Sequence, residues 1–317
     1  MKVKRFLLLA CLLFTGFVSV NTAKAVISGV VLSPAIKEVR LEKDQAEVSF
    51  TVDISNTTTE TADMRLTTVD FGSLDESGGV AFLGRSEQET TVYGLRQWMV
   101  LEKENVALEP GQKQSVKVTI ENKDSLSPGG HYGAVLVSLA RPDNSEDSLT
   151  ALPSASTLVL VKKVGGEVLS LDLNSTDGNG SLTSLPKSVN LRFQNGGNTH
   201  LVPRGIIEVL NPRGKRVAHG TINQASAFVL PESFRQMKVD LTYSTKLLWP
   251  GRYKVVTNWR YEGREDFQQS VVEFIYLGSI VSLIIFVVCI VLICIVVRLA
   301  IKKRKLIHRS GKQEVSP

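Results

Sequence analysis

The chain has 317 residues, 43% of them hydrophobic and 21% charged. That supports a large core, exceeds one ordinary domain and excludes a disordered or fibrous chain. The net charge of +6 is confined to the ends: Lys2, Lys4, Arg5 and Lys24 at one, seven basic residues from Arg298 onward at the other. Residues 26–274 hold 26 Lys and Arg against 30 Asp and Glu, a net −4, so the body of the chain is no polyanion binder and nucleic acid is not an expected partner.

In chain order, a basic start, the apolar run Phe6–Val20 and the small-x-small site Ala23-Lys24-Ala25 read as a secretory signal over residues 1–25, cleaved after Ala25. Period-two alternation follows. Val48, Phe50, Val52 and Ile54 alternate with Glu47, Ser49, Thr51 and Asp53; Val116, Val118 and Ile120 alternate with Ser115, Lys117 and Thr119. Val189, Leu191 and Phe193 repeat the pattern, as do Tyr253, Val255, Thr257, Trp259 and Tyr261. Each places one face on a core and one in water. Ala134–Val137 and Leu158–Val161 are continuously apolar and suit central strands. Turn signals punctuate these runs, among them Ser77-Gly78-Gly79, Pro128-Gly129-Gly130, Asn195-Gly196-Gly197 and Pro250-Gly251. Only Gly94–Leu101 reads as a possible helix. The expectation is all-β: two tandem immunoglobulin-like β-sandwiches, residues 26–163 and 164–274, with the junction at Lys163–Gly166.

Residues Ile275–Val297 carry no charge, enough for a helix of about 30 Å across a bilayer. The basic tail 298–317 then points inward. This predicts one C-terminal transmembrane helix in the cell membrane, a single-pass type I arrangement with the ectodomain outside and the tail cytoplasmic. Cys11 leaves with the signal, and Cys289 and Cys294 lie in the apolar segment, so the ectodomain has neither a disulfide nor a thiol nucleophile.

Catalytic chemistry finds little to work with. His131, His200 and His219 show no ligand spacing and read as ordinary loop-edge residues; no nucleophile elbow, phosphate loop or zinc motif is present. Asp70–Glu76 and Asn174–Gly180 hold oxygen ligands beside glycines but lack the full calcium-loop pattern, so they read as turns. No cofactor, metal or catalytic residue is assigned, and the chain reads as a non-enzyme. Trp259 falls on the core side of its strand, whereas Trp98 and Trp249 lie near loops. Tyr93, Arg96 and Trp98 form the best small cluster for a ligand contact.

Several segments together resemble the bacterial WxL-interacting protein family. Val31-Leu32-Ser33-Pro34 before Val48–Asn56 is similar to its opening strands, and Leu108-Glu109-Pro110-Gly111-Gln112 to its Pro-Gly-Gln strand entry. Pro128–Val135 resembles its Gly-rich turn into a central strand, Gln194–Leu201 its Asn-x-Gly-Asn turn, Val229–Ser233 its Pro-x-Ser entry and Leu248–Tyr253 its Leu-x-Pro-Gly-x-Tyr hairpin. The likeness covers roughly 29–297, and departs from the family where the usual Asn-Gln is missing around Ala35–Glu38. It implies a cell-wall scaffold, the first domain toward peptidoglycan and the second toward surface proteins or host matrix. A second likeness is to pilus-chaperone domains, against which the apolar segment 275–297 speaks. Three readings follow: a surface protein binding wall or protein partners, through exposed strand edges; a structural stalk or envelope-assembly subunit without a soluble ligand; and a hydrolase, which requires a cleft of converging carboxylates.

Overall fold

The computed structural model describes residues 29–83, 92–139, 155–177, 180–182, 184–244, 249–278 and 280–310; the signal reading of 1–25 lies outside them. The first strands are β1 (Val30–Ser33), β2 (Ile36–Leu41), β3 (Glu47–Asn56), β4 (Ala62–Ser73), β5 (Val80–Leu83), β6 (Met99–Leu101), β7 (Asn105–Leu108), β8 (Lys113–Glu121), β9 (Gly129–Leu139) and β10 (Ala155–Lys163). They form a four-stranded sheet, β1-β3-β8-β6, facing a second sheet, β2-β10-β9-β4-β5, with β7 also on β4. The register explains the alternation. Val48 lies opposite Ile120, Phe50 opposite Val118 and Val52 opposite Val116, so both strands turn their apolar sets to the same side. A slip of one residue would turn every one of them to solvent. Val52, Ile54, Val116, Val118 and Ile120 are fully buried, each worth about 1.5–3 kcal/mol of transfer free energy.

The two continuously apolar runs lie side by side in β9 and β10, with Leu158 opposite Ala134. Both of their faces are covered, which is why they do not alternate. One face meets the first core. The other meets a smaller cluster of Val69, Phe71, Tyr132, Ala134 and Leu160, onto which Phe228 and Leu230 of the second half pack.

The remaining strands are β11 (Leu171–Thr176), β12 (Gly180–Leu182), β13 (Ser188–Asn195), β14 (Arg204–Leu210), β15 (Arg216–Ile222), β16 (Phe234–Asp240), β17 (Thr242–Tyr243), β18 (Gly251–Arg260) and β19 (Gln268–Tyr276). They form the sheets β11-β13-β16 and β12-β19-β18-β14-β15-β17. Their core stacks Phe193 edge-on to Trp259 at 6.2 Å, and Tyr253 on Phe274 at 5.5 Å.

Two expectations are corrected here. Gly94–Leu101 is not an α-helix but a 3₁₀ turn, Arg96–Trp98, that runs directly into β6. The Asp70 carboxylate accepts the N–H groups of Leu95 and Arg96 at 2.7 Å each, and Met99 turns extended to pair with Ile120. The segment 275–297 is not one helix either. Ile275 and Tyr276 close β19 opposite Arg252 and Gly251, and helix α1 spans Ile280–Ser310. Among the described residues no helix is long and apolar enough to cross a membrane. The transmembrane helix, the single-pass type I placement and the outside–inside assignment built on it are therefore withdrawn. The apolar count made on sequence included residues that the fold uses in a strand.

Candidate functional site

The two sandwiches meet along β9, β10 and the β4–β5 turn on one side, and the 198–200 and 223–236 segments on the other. Two polar clamps hold this junction. In the first, Gly130 donates its N–H to Asn198 O at 2.7 Å. A Cβ at position 130 would lie 2.2 Å from the Tyr132 hydroxyl and 3.0 Å from Thr199 Cα, so only glycine allows this approach. Two residues on, Tyr132 reaches across: its hydroxyl lies 3.3 Å from His200 Nδ1, and His200 Nε2 lies 3.0 Å from Glu38 Oε1. The carboxylate can only accept, so Nε2 carries the ring proton and Nδ1 accepts from the tyrosine hydroxyl. Lys162 neutralises Glu38 from 3.6 Å and also pairs with Glu262. Burial, the largest cause, pushes the Tyr132 hydroxyl far up and the His200 ring down. The hydrogen bond from His200 lowers the Glu38 carboxyl.

The second clamp is the β4–β5 turn. Asp75 Oδ1 accepts from the N–H and hydroxyl of Ser77 at 2.8 and 2.7 Å, and Gly78 takes a φ of +95°. The turn thereby presents Glu76 to the second sandwich. Arg192 grips its carboxylate with Nε and Nη2 at 2.8 and 2.6 Å, and Gln236 adds a third donor at 3.0 Å. The Gln236 N–H donates to Glu76 O at 2.7 Å, and the guanidinium of Arg192 lies 3.7 Å over the ring of Phe234. Arg192 and Gln236 together pull the Glu76 carboxyl from 4.5 to about 2. A depressed acid stabilises the fold above its unfolded pKa and loses that contribution as pH falls through its folded one. Glu76→Gln is therefore expected to flatten the acid limb of a stability profile between pH 4.5 and about 2, and above that window to lower the plateau without changing its slope. Denaturant melts at stepped pH check this.

Between the clamps opens a cleft of about 310 Å³. Ile36, Phe71, Leu158 and Leu160 line one wall, Phe228 and Leu230 the other; among the described residues Arg235 is the one charged group in the lining. The second wall is strained. Asn223, Ser226 and Glu232 all take positive φ, at 55°, 53° and 54°. Such conformations cost about 1–3 kcal/mol each and persist where surrounding contacts impose them. Here those contacts are visible: Asn223 Nδ2 donates to Pro203 O and Ala227 O at 3.0 and 2.9 Å, and Glu232 accepts from the Tyr93 hydroxyl at 3.1 Å. Arg235 donates to Phe228 O at 2.7 Å and lies against Gly78, where a Cβ would meet its guanidinium at 2.2 Å. Burial lowers the pKa of its guanidinium.

Among the described residues the cleft lining holds no carboxylate, and there is no group of three His, Cys, Asp or Glu that could hold a metal. The arrangement can bind an apolar, extended partner, but offers no nucleophile with a base beside it. Tyr93, Arg96 and Trp98 do not form one surface. Tyr93 serves the domain junction, Trp98 donates Nε1–H to Ser125 at 3.1 Å while packing on the first core, and Arg96 faces a separate depression beside Arg65 and Glu104. Trp249 is 75% exposed. His131 and His200 are not loop-edge residues: both are buried, His131 between Gly94 O and Ser127 O, His200 between the sandwiches. Sequence reasoning missed Glu38, Glu76, Tyr132, Arg192 and Arg235. The Gly-rich turns before His131 and His200 are the one local trace of the junction.

No protein-family model matches the chain, and no curated protein matches it. Among solved structures, it is similar to a chaperone–tip adhesin complex of CFA/I fimbriae biogenesis at 14% identity, covering 77% of this chain and 98% of that one, with a TM-score of 0.41. It is similar to the CsuC–CsuE chaperone–tip adhesion subunit pre-assembly complex of Acinetobacter baumannii at 10% identity, covering 79% and 99%, TM-score 0.36. A PapD-like domain of human CEP192 aligns at 12% identity over 48% of this chain and 97% of its own length, TM-score 0.31. The resemblance to WxL-interacting proteins finds no support in any of these comparisons, and the peptidoglycan-binding, adhesion and cell-wall roles it implied fall with it. Its motifs were turn-and-strand chemistry, which unrelated β-sandwiches share.

Proposed function

We propose that this chain is a non-catalytic assembly subunit that binds an extended segment of a protein partner beside the cleft between its sandwiches. The observation that carries this reading is the cleft itself, apolar on both walls and bordered by an open sheet edge. Among the described residues β2 ends its sheet, and its Ile36, 48% exposed, lines the opening. Each of the other outermost strands of the first sandwich also exposes one large apolar side chain: Val31 on β1, Phe82 on β5 and Val100 on β6. Such edges take up a further strand through backbone hydrogen bonds, with pockets selecting alternate side chains. Two of the similar structures are complexes of a chaperone with an adhesin or adhesion subunit; the reading here rests on the cleft and the edges.

A photo-crosslinking side chain at Ile36, with a second at Val168 as an exposed control outside the cleft, tests it in cells. The expected result is one dominant protein adduct from position 36, absent from position 168, whose assembled form declines when the chain is depleted. Equal labelling from both positions would refute the reading.

A further inference from the structure

We infer, on the basis of that reading, that Arg235 is an acid-selecting anchor: the partner segment carries an Asp or Glu side chain among apolar residues, and this carboxylate meets the guanidinium in the cleft. The chemistry is local. Arg235 is half-buried at the wall of a cleft otherwise made of apolar and small uncharged residues. Among the described residues it makes no salt bridge; its one hydrogen bond goes to a neutral carbonyl, Phe228 O. The nearby arginine, Arg192, already has Glu76, and the nearby carboxylate, Glu232, already accepts from Tyr93. A guanidinium whose desolvation is not repaid within its own fold favours a ligand that brings the missing charge. Burial already disfavours its charged form, and an incoming carboxylate would reverse that.

The position is set by its neighbours. Gly78 leaves room for the guanidinium beside the β4–β5 turn, Phe228 O fixes Nη1, and Ser226, with its positive φ, belongs to the same lining. An extended peptide suits this better than an acyl chain, because the edge strand at the rim, β2, offers backbone hydrogen bonds that only a peptide can use.

The test uses the full chain and short fluorescein-labelled strand-forming peptides of alternating Val and Thr, with one central Glu or Gln. Fluorescence anisotropy is expected to show the Glu peptide binding about tenfold or more tightly than the Gln peptide. Arg235→Gln is expected to bind both at the weaker level, and Arg235→Lys to recover much of the preference. Added salt is expected to narrow the gap. Equal binding of both peptides to the unmodified chain, with loss of both in Ile36→Asp, at an exposed position of the same cleft, overturns the Arg235 inference and leaves the cleft reading standing. Binding of neither peptide overturns both, as does displacement of a fluorescent fatty acid by palmitate with no effect of either peptide. Circular dichroism melts of the two Arg235 variants separate lost preference from lost fold: the Lys variant must both fold and discriminate.

Discussion

His200→Ala is expected to destabilise the chain by about 3 kcal/mol and to uncouple its two halves. The ring is fully buried and packs edge-on against Tyr132 at 5.6 Å and Phe228 at 5.2 Å. Truncation leaves a cavity between the sandwiches, a buried tyrosine hydroxyl without an acceptor, and a Glu38 carboxylate with only Lys162 beside it. Since the ring touches both halves, the loss falls on their coupling. A single cooperative urea transition in the parent is expected to become two in the variant, followed by fluorescence of Trp98 in one sandwich and Trp259 in the other. Tyr132→Phe removes the hydroxyl but keeps the packing, and should cost about 1–2 kcal/mol. The pH profile gives a separate check. Burial holds the His200 ring below its usual 6.5. The unfolded chain then takes up protons that the folded one refuses, so this contribution is present above pH 6.5 and is lost as pH falls. His131, also depressed by burial, contributes with the same sign and remains in the variant. A loss under 1 kcal/mol in His200→Ala, with one transition kept, would show that the junction is held elsewhere.

Strand content was legible because it is written in nearest neighbours. Val48–Ile54 and Tyr253–Tyr261 alternate along the chain, so their buried faces could be read before any partner was known. Ala134–Val137 and Leu158–Val161 announced themselves as central by the same logic. The junction could not be read, because its chemistry is made across long separations. Glu38 and His200 are 162 residues apart and Glu76 and Arg192 are 116 apart; neither pair has a local pattern. Tyr93, Arg96 and Trp98 were grouped because they are close in the chain. A 3₁₀ turn and a strand entry then send each side chain to a different neighbour. The apolar segment near the end misled for a related reason. Hydropathy counts residues without knowing that Ile275 and Tyr276 are already paired with Arg252 and Gly251. The resemblance failed similarly: Pro-Gly and Asn-Gly turns report how strands are joined, and many β-sandwiches join them alike.

Asn195→Asp is expected to be more damaging than Asn195→Ala, although it changes the shape of the side chain least. Asn195 ends β13, is fully buried, and binds three backbone groups: Nδ2 donates to Thr199 O and Val229 O at 2.8 Å each, and Oδ1 accepts from Gly197 N at 2.9 Å. Alanine leaves Thr199 O and Gly197 N unpaired in the interior, while Val229 O keeps the N–H of Leu201, a cost of about 3 kcal/mol. Aspartate keeps the acceptor but turns a second acceptor, with no proton, toward two carbonyl oxygens. Burial and those carbonyls favour its protonated form, so its pKa must rise on folding. Stability of this variant is then retained below the unfolded value of about 3.9 and lost as pH rises through the folded one. Denaturation at pH 4 and pH 8 should therefore separate the two variants: similar at the lower value, with aspartate the weaker by at least ~1 kcal/mol at the higher. Asn56, at the end of β3, repeats the device in the first sandwich. It is fully buried, and its Nδ2 donates to Glu60 O and Leu108 O at 2.8 and 2.9 Å while its Oδ1 accepts from Thr58 N at 2.9 Å. Asn56→Asp should show the same pH dependence, but report through Trp98 rather than Trp259. If both aspartate variants track their alanine partners across pH, the amide donors are dispensable. The loops after β3 and β13 would then be fixed by their backbone turns alone.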